Sequence, residues 1–112
     1  MDEERARGLL SEERRHVEGL LREARANAAD ARASQGDTGD IADPAEPLTA
    51  EGTDDALVRQ FEDRLAAIER AEQRLRDGSY GRSVRSGVPL SDERLEADPA
   101  AELTVEEAAA GT

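Results

Sequence analysis

Four residues in the C-terminal third of the chain have the spacing of a zinc site but not its chemistry. Ser83 and Ser86 lie three apart, and Thr104 and Glu107 repeat that interval after 17 intervening residues. Two such pairs, when they are cysteines, form a four-ligand zinc site. The sequence contains no cysteine, and a hydroxyl stays protonated near neutral pH and is a poor zinc ligand. We therefore predict that no zinc binds at these positions.

The residue types at these positions predict a structure that forms without metal. Serine hydroxyls favour turns because they bond to nearby backbone amides, and glycines at 78, 81 and 87 suit a chain that leaves a helix and turns sharply. Thr104 and Glu107 match a capping box, in which each side chain bonds the other residue's amide and a helix begins. We expect a very small core beside them. Its members would be Tyr80, Val84, Leu90, Leu95 and Leu103.

Two long helices are predicted to carry this segment. Apolar residues recur at helical spacing from Asp2 to about Ala33, and again from about Thr53 to Leu75. Asp2 and Thr53 are the expected N-caps, and Gly78 is the expected residue just past the second helix. Each apolar stripe is narrow and needs a partner helix, so we predict an antiparallel coiled-coil hairpin. Pairing between helices of different chains is the alternative.

The composition suits such a fold and excludes several functions. The 112 residues are 37% hydrophobic and 38% charged, with Phe61 and Tyr80 as the only aromatic residues, so no large globular core is available. A formal net charge of -12 opposes direct binding to nucleic acid. No apolar run is long enough to span a membrane, and the first residues lack the pattern of a signal peptide. We therefore expect a cytoplasmic protein.

No catalytic constellation is evident. His16 is the only histidine and is expected on an exposed helix surface. Neighbouring acids such as those at 54–55 and 106–107 fit the preference for negative charge at helix N-termini. The glycines at 78, 81 and 87 lack the strand-before and helix-after context of a phosphate-binding loop. We predict that the protein is not an enzyme and uses no cofactor.

Residues 78–107 resemble the C-terminal half of the DksA/TraR family of RNA polymerase-binding regulators. That half carries a glycine-rich turn with a first Cys-x-x-Cys pair, then Pro-Ile, Glu-Arg-Leu and a second pair. The matching residues here are Gly78, Tyr80, Gly81, Gly87, Pro89, Leu90, Glu93, Arg94, Leu95, Ala97 and Pro99. The resemblance implies a mainly α fold. Residues 1–77 would form the coiled-coil hairpin, with an acidic tip loop at about 34–52, and residues 78–112 a small, metal-free, degenerate zinc-finger-like domain ending in a helix.

The resemblance also implies a partner and a contact region. In the family the coiled-coil tip carries Asp-x-x-Asp-x-Ala and enters the secondary channel of RNA polymerase toward the catalytic magnesium. Asp37, Asp40 and Ala42 match that pattern and are the favoured tip residues, while Asp43 and Glu46 form a competing register. We therefore expect a monomeric transcription regulator that modulates initiation and does not bind DNA directly.

Family members often respond to the nucleotide ppGpp through basic residues of the second helix and the C-terminal domain. Counting back from Tyr80 places Gln60 and Ala67 at the helix positions concerned. Neither side chain is basic, so we expect little or no dependence on ppGpp.

The alternative function is an acidic coiled-coil adaptor or a protein that mimics nucleic acid. The tip acids would then be interchangeable surface charge. The two functions differ in whether particular carboxylates or only the total charge determine activity.

Overall fold

The computed structural model describes the backbone of residues 1–38 and 45–110 and the side chains of residues 1–33 and 54–110. The described residues form four helices: α1 (Glu3–Thr38), α2 (Ala45–Asp77), α3 (Asp92–Ala97) and α4 (Val105–Ala110). Within the described ranges the only β-type pairing is an isolated bridge between Arg82 and Pro89. The prediction of a mainly α fold is confirmed. None of the helices in the described part of the chain combines the length and hydrophobicity that a bilayer span requires.

The chain divides into two compact units. Unit 1 consists of Met1–Arg15 and Ala66–Thr112, and unit 2 consists of His16–Leu65. Each unit therefore contains part of α1 and part of α2, and unit 1 also contains α3 and α4.

The apolar stripe of α1 forms the core of unit 2. Val17, Leu21, Ala24 and Ala28 are buried there, at alternating steps of four and three residues. This spacing is the repeat of a coiled-coil seam. From α2, the half-buried apolar side chains are Val58, Phe61 and Leu65. His16 is exposed, as predicted.

Two ion pairs give the direction and register of the helices in unit 2. Arg25 Nη2 lies 2.9 Å from Glu62 Oε2, and Arg32 Nη2 lies 2.6 Å from Asp55 Oδ1. From 25 to 32 is seven residues forward along α1, and from 62 to 55 is seven residues back along α2. The helices are therefore antiparallel and repeat their contacts at the heptad interval, which agrees with the predicted coiled-coil hairpin.

In unit 1 the paired helix segments pack through small and branched residues. Ala6 and Leu10 of α1 and Ile68 and Ala71 of α2 are buried. The prediction that Asp2 begins α1 is confirmed, because its carboxylate accepts the Arg5 amide at 2.7 Å.

The C-terminal module, residues 78–110, has its own small core within unit 1. Leu90, Leu95 and Ala101 are buried together, and the half-buried Met1 and Tyr80 pack against them. The Tyr80 hydroxyl donates to the Pro99 carbonyl at 2.8 Å. Burial raises the pKa of Tyr80 to about 12, so the phenol remains a donor over the whole neutral range.

One residue of the predicted core lies at the surface instead. Val84 is 57% exposed, whereas its neighbour Ser83 is 4% exposed. Ser83 points inward because its hydroxyl accepts the amides of Arg85 and Ser86, and Val84 follows it in the turn. Leu103 is half-buried, and the sequence analysis missed Ala100 and Ala101, which are both buried.

Both long helices extend beyond their predicted ends. The backbone of α1 is helical to Thr38, past the predicted end near Ala33, and α2 begins at Ala45, well before Thr53. Thr53 is therefore inside α2 and is not its N-cap. The segment between the two helices is residues 39–44, where a loop of about 34–52 was expected.

Weak helix breakers explain this difference. The expected loop rested on Gly36, Pro47 and Gly52. A proline is tolerated in the first turn of a helix because its missing amide has no helical partner there, and a glycine costs only about 1 kcal/mol. These residues lower the stability of a helix without ending it.

Candidate functional site

The first predicted pair, Ser83 and Ser86, lies in a tight turn held by the Ser83 side chain. The Ser83 hydroxyl accepts the amides of Arg85 and Ser86, each at 3.1 Å. The Gly87 amide donates to the Ser83 carbonyl at 2.9 Å, and Gly87 has φ 79°, which a residue with a side chain rarely adopts. The predicted turn is therefore present, and Ser83 provides its central acceptor.

The second predicted pair, Thr104 and Glu107, forms the expected capping box at the start of α4. The Thr104 amide donates to Glu107 Oε1 at 2.9 Å, and the Glu107 amide donates to Thr104 Oγ1 at 3.0 Å. The reciprocal bonds satisfy two amides that a helix start leaves without helical partners. The sequence prediction of this cap is confirmed.

The two pairs lie close together at Glu107. The Ser86 and Ser83 hydroxyls are near its carboxylate, and the Thr104 amide donates to it. The Ser86 and Ser83 hydroxyls and the Thr104 amide favour the ionised form and lower the pKa of Glu107 to about 2. The structure therefore brings together all four residues that the spacing singled out. We call Ser83, Ser86, Thr104 and Glu107 the carboxylate cluster.

The carboxylate cluster does not fit a zinc ion. Zinc in structural sites takes four thiolate or imidazole ligands, with carboxylate as an occasional member. Three of the four side chains here are neutral hydroxyls, and the one carboxylate already accepts the Thr104 amide. Within the described residues no group of three or more His, Cys, Asp or Glu side chains has an arrangement that could hold a metal. The assignment of the module as a degenerate zinc finger remains a prediction.

Glu102, which the sequence analysis did not single out, ties the module to α2. Its carboxylate accepts Arg70 Nε at 3.0 Å and Arg74 Nη1 at 3.2 Å. Its carbonyl also accepts the Val84 amide at 2.8 Å. Hydrogen bonding from Arg70 is the main cause that lowers the pKa of Glu102. The sequence feature that could have indicated this contact is the pair Arg70 and Arg74, which lie four apart on one face of α2.

A second set of ion pairs links α3 to the start of α1. Arg5 forms a two-bond pair with Glu96, at 3.1 Å from Nε and 2.7 Å from Nη2. The Met1 amino group lies 2.7 Å from Asp92 Oδ1. Ser91 is the N-cap of α3, and its hydroxyl accepts the Arg94 amide at 3.1 Å. The C-terminal module is thus held to both long helices of unit 1 by ion pairs.

The predicted tip residues lie largely outside the described residues. Asp40, Ala42 and Asp43 fall between α1 and α2 in residues 39–44. Asp37 lies near the end of α1 and Glu46 near the start of α2, and for these two only the backbone is described. The choice between the two tip registers remains a prediction.

Comparison with known proteins defines the class to which this fold belongs. No protein-family profile matches the chain. The structure superimposes on transcription factor DksA2 from Pseudomonas aeruginosa with a TM-score of 0.82, covering 96% of this chain and 81% of that one. The two sequences are 24% identical, so this likeness shows the fold alone. It is the fold of a DksA-type transcription factor.

Sequence similarity agrees with the fold. The chain is 36% identical over 93 residues to the RNA polymerase-binding transcription factor DksA of Caulobacter vibrioides, and 32% identical over 97 residues to general stress protein 16O of Bacillus subtilis. The chain is a member of the DksA family. The aligned regions cover 80% and 87% of this chain but only 63% and 56% of those relatives.

Proposed function

We propose that this protein regulates transcription by binding RNA polymerase through the secondary channel, with its acidic tip near the catalytic magnesium, and so modulates initiation. The observation that carries the proposal is the 36% identity to an RNA polymerase-binding transcription factor over 80% of this chain. The DksA fold supports it.

The antiparallel pairing of α1 and α2 in unit 2 supports the proposal. In the sequence, the tip acids lie near the end of α1, near the start of α2 or between the two helices. Carboxylates delivered to a magnesium-centred site can compete for hydrogen bonds or for coordination of a hard cation. The tip would therefore act on the partner's chemistry without performing a reaction itself.

Binding and activity are tested separately. Purified protein is mixed with core RNA polymerase in a pull-down, and transcription from a responsive promoter is measured in vitro. We expect Asp37→Asn with Asp40→Asn to abolish the effect on transcription while leaving the pull-down largely intact. If Asp43→Asn with Glu46→Gln gives that result instead, the competing register is correct.

A matched control removes the same charge elsewhere. Glu23 and Glu69 are exposed on α1 and α2, so Glu23→Gln with Glu69→Gln lowers the negative charge by two without touching the tip. We expect this variant to retain activity. Equal losses of transcriptional activity in the tip and control variants would favour the acidic adaptor or nucleic-acid mimic. Absence of polymerase from the pull-down would overturn the proposal.

We propose that the effect does not depend on ppGpp. Gln60 is exposed and Ala67 is half-buried on α2, and neither carries a positive charge that could form an ion pair with a phosphate. Transcription assays with and without ppGpp should give the same response to the protein. A large increase in the protein's effect on transcription when ppGpp is added would contradict this proposal.

A further inference from the structure

We propose that a groove on the C-terminal module binds a segment of a partner protein, holding one aliphatic side chain of that segment with a carboxylate beside it. The groove lies between α3, the start of α4 and the chain just before α3. Its lining includes Pro89, Leu90, Arg94, Val105 and Glu106, and we call it the module groove. Such binding is independent of the proposed action of the tip acids.

The size of the module groove fits one side chain. Its volume is about 210 Å³, whereas sites that enclose drug-sized ligands have roughly 300–1,000 Å³. Leu90 belongs to the small core of the module, and the side chains of Pro89 and Val105 beside it are exposed. An aliphatic side chain in the groove would remove this apolar surface from water. The groove therefore favours a residue such as leucine from a polypeptide over a larger small molecule.

Exposed aliphatic residues concentrate in the C-terminal module. Among the described residues, the large hydrophobic side chains that stay exposed are Leu57, Val84, Val88 and Val105. Three of these four belong to the module. Val105, which is 61% exposed, lines the groove, and Val88 precedes the lining residue Pro89 in the chain. Single exposed apolar residues are normal, but several in one small module indicate a surface that a partner covers.

The segment next to the module groove is basic, although the protein is strongly acidic. Residues 78–91 contain Arg82 and Arg85 and no Asp or Glu, whereas the whole chain has 27 acidic and 15 basic residues. The bridge between Arg82 and Pro89 places this basic segment against the groove lining. Neither Arg82 nor Arg85 forms an ion pair with a carboxylate in the described part of the chain. The local charge therefore complements an acidic partner.

Arg94 supplies an oriented cation in the lining of the module groove. Its Nε donates to the Leu103 carbonyl at 3.1 Å, which holds the guanidinium group in place. No carboxylate of the described residues pairs with Arg94, and a guanidinium group can donate to both oxygens of a partner's carboxylate. Glu106 also lines the groove and would repel that carboxylate. We therefore expect the partner's acid to lie on the Arg94 side.

Peptide titration followed by NMR tests the module groove. The probe is a capped peptide with one leucine between glutamates, added to the isotope-labelled full chain. We expect the amide signals of Leu90, Arg94 and Val105 to shift while those of unit 2 stay unchanged. Peptides with serine in place of leucine, or lysine in place of glutamate, should bind about tenfold more weakly, because each loses one of the two proposed contacts.

Variants of the lining residues locate the binding. Val105→Ser should weaken binding of the leucine peptide by about fivefold, whereas the exposed control Leu57→Ser should not change it. Arg94→Gln should weaken it by about tenfold. Glu106→Gln should tighten it by about twofold, because it removes a repulsive charge, and the exposed control Glu69→Gln should have no such effect. This gain of affinity cannot come from unfolding of the module.

Three results would overturn the proposal. The first is the absence of shifts at the module groove when the leucine peptide is added. The second is equal affinity for the leucine and serine peptides, which would leave only attraction between charges. The third is a concentration-dependent shift of the groove signals without peptide, which would show that a second copy of this chain occupies the groove.

Discussion

Arg74 reaches Glu102 with only one side of its guanidinium group. Its Nη1 lies 3.2 Å from Glu102 Oε2, while Nε and Nη2 are buried without a hydrogen-bond partner. The Arg74 side chain is 14% exposed. A mostly buried cation therefore depends on one carboxylate from the C-terminal module.

Removing that carboxylate should be costly. We expect Glu102→Leu to lower the free energy of unfolding by about 2–3 kcal/mol, because Arg74 would be left as an unpaired buried charge. The double variant Arg74→Met with Glu102→Leu should recover most of the loss. Urea unfolding, monitored through Tyr80 fluorescence, measures the free energy of unfolding of both variants, and Glu106→Leu serves as the control. A double variant no more stable than Glu102→Leu would contradict this account.

The interhelical ion pairs should differ in strength according to their exposure. Arg14 and Glu72 in unit 1 are 31% and 26% exposed, whereas Arg25 and Glu62 in unit 2 are 59% and 46% exposed. Double-mutant cycles should give a coupling energy of about 1 kcal/mol for Arg14–Glu72 and below about 0.5 kcal/mol for Arg25–Glu62. Salt should weaken the second pair more strongly. Equal couplings would show that burial does not control these pairs.

Two glycines should respond oppositely to alanine. Gly8 lies within α1, and a Cβ there would meet nothing within 4 Å, so Gly8→Ala should stabilise the protein by about 0.5–1 kcal/mol. Gly81 has φ 88°, so Gly81→Ala should destabilise it by about 1–2 kcal/mol. The urea midpoints of the two variants measure these changes in stability. Stabilisation by Gly81→Ala would mean that the turn relaxes to a different backbone conformation.

Acid should weaken the C-terminal module through Glu107. Its pKa is about 2 in the folded protein and near 4.5 when the chain is unfolded. The contribution of its ionised form is fully present above pH 4.5 and is lost as the pH falls toward 2. The stability of the unmodified protein should therefore fall more steeply over this window than that of Glu107→Gln. Parallel pH profiles would show that the carboxylate has no special partners.

The sequence predicted the local features of the fold well. The caps at Asp2 and Thr104 depend on contacts within about three residues, so residue type and spacing are sufficient to identify them. The apolar stripe of α1 was equally visible, because helical periodicity alone determines which side chains share a face.

Contacts between distant segments were harder to foresee. Nothing in the local sequence distinguishes the inward Ser83 from the outward Val84, because their orientation depends on the backbone bond from the turn to Glu102. The extension of α1 and α2 was missed because the predicted ends relied on weak helix breakers. The spacing singled out the four cluster residues, but it did not show that Ser83 accepts the amides of its own turn.

The seven-residue interval between the ion pairs Arg25–Glu62 and Arg32–Asp55 provides a natural unit for engineering the hairpin. Deleting one such interval from α1 and the opposing interval from α2 would shorten unit 2 by about 10 Å and return the remaining partners to the same alignment. Deleting the seven-residue interval from one helix only would misalign the interhelical partners beyond the deletion. The length of unit 2 can thus be varied in seven-residue steps while the sequence between α1 and α2 is kept constant.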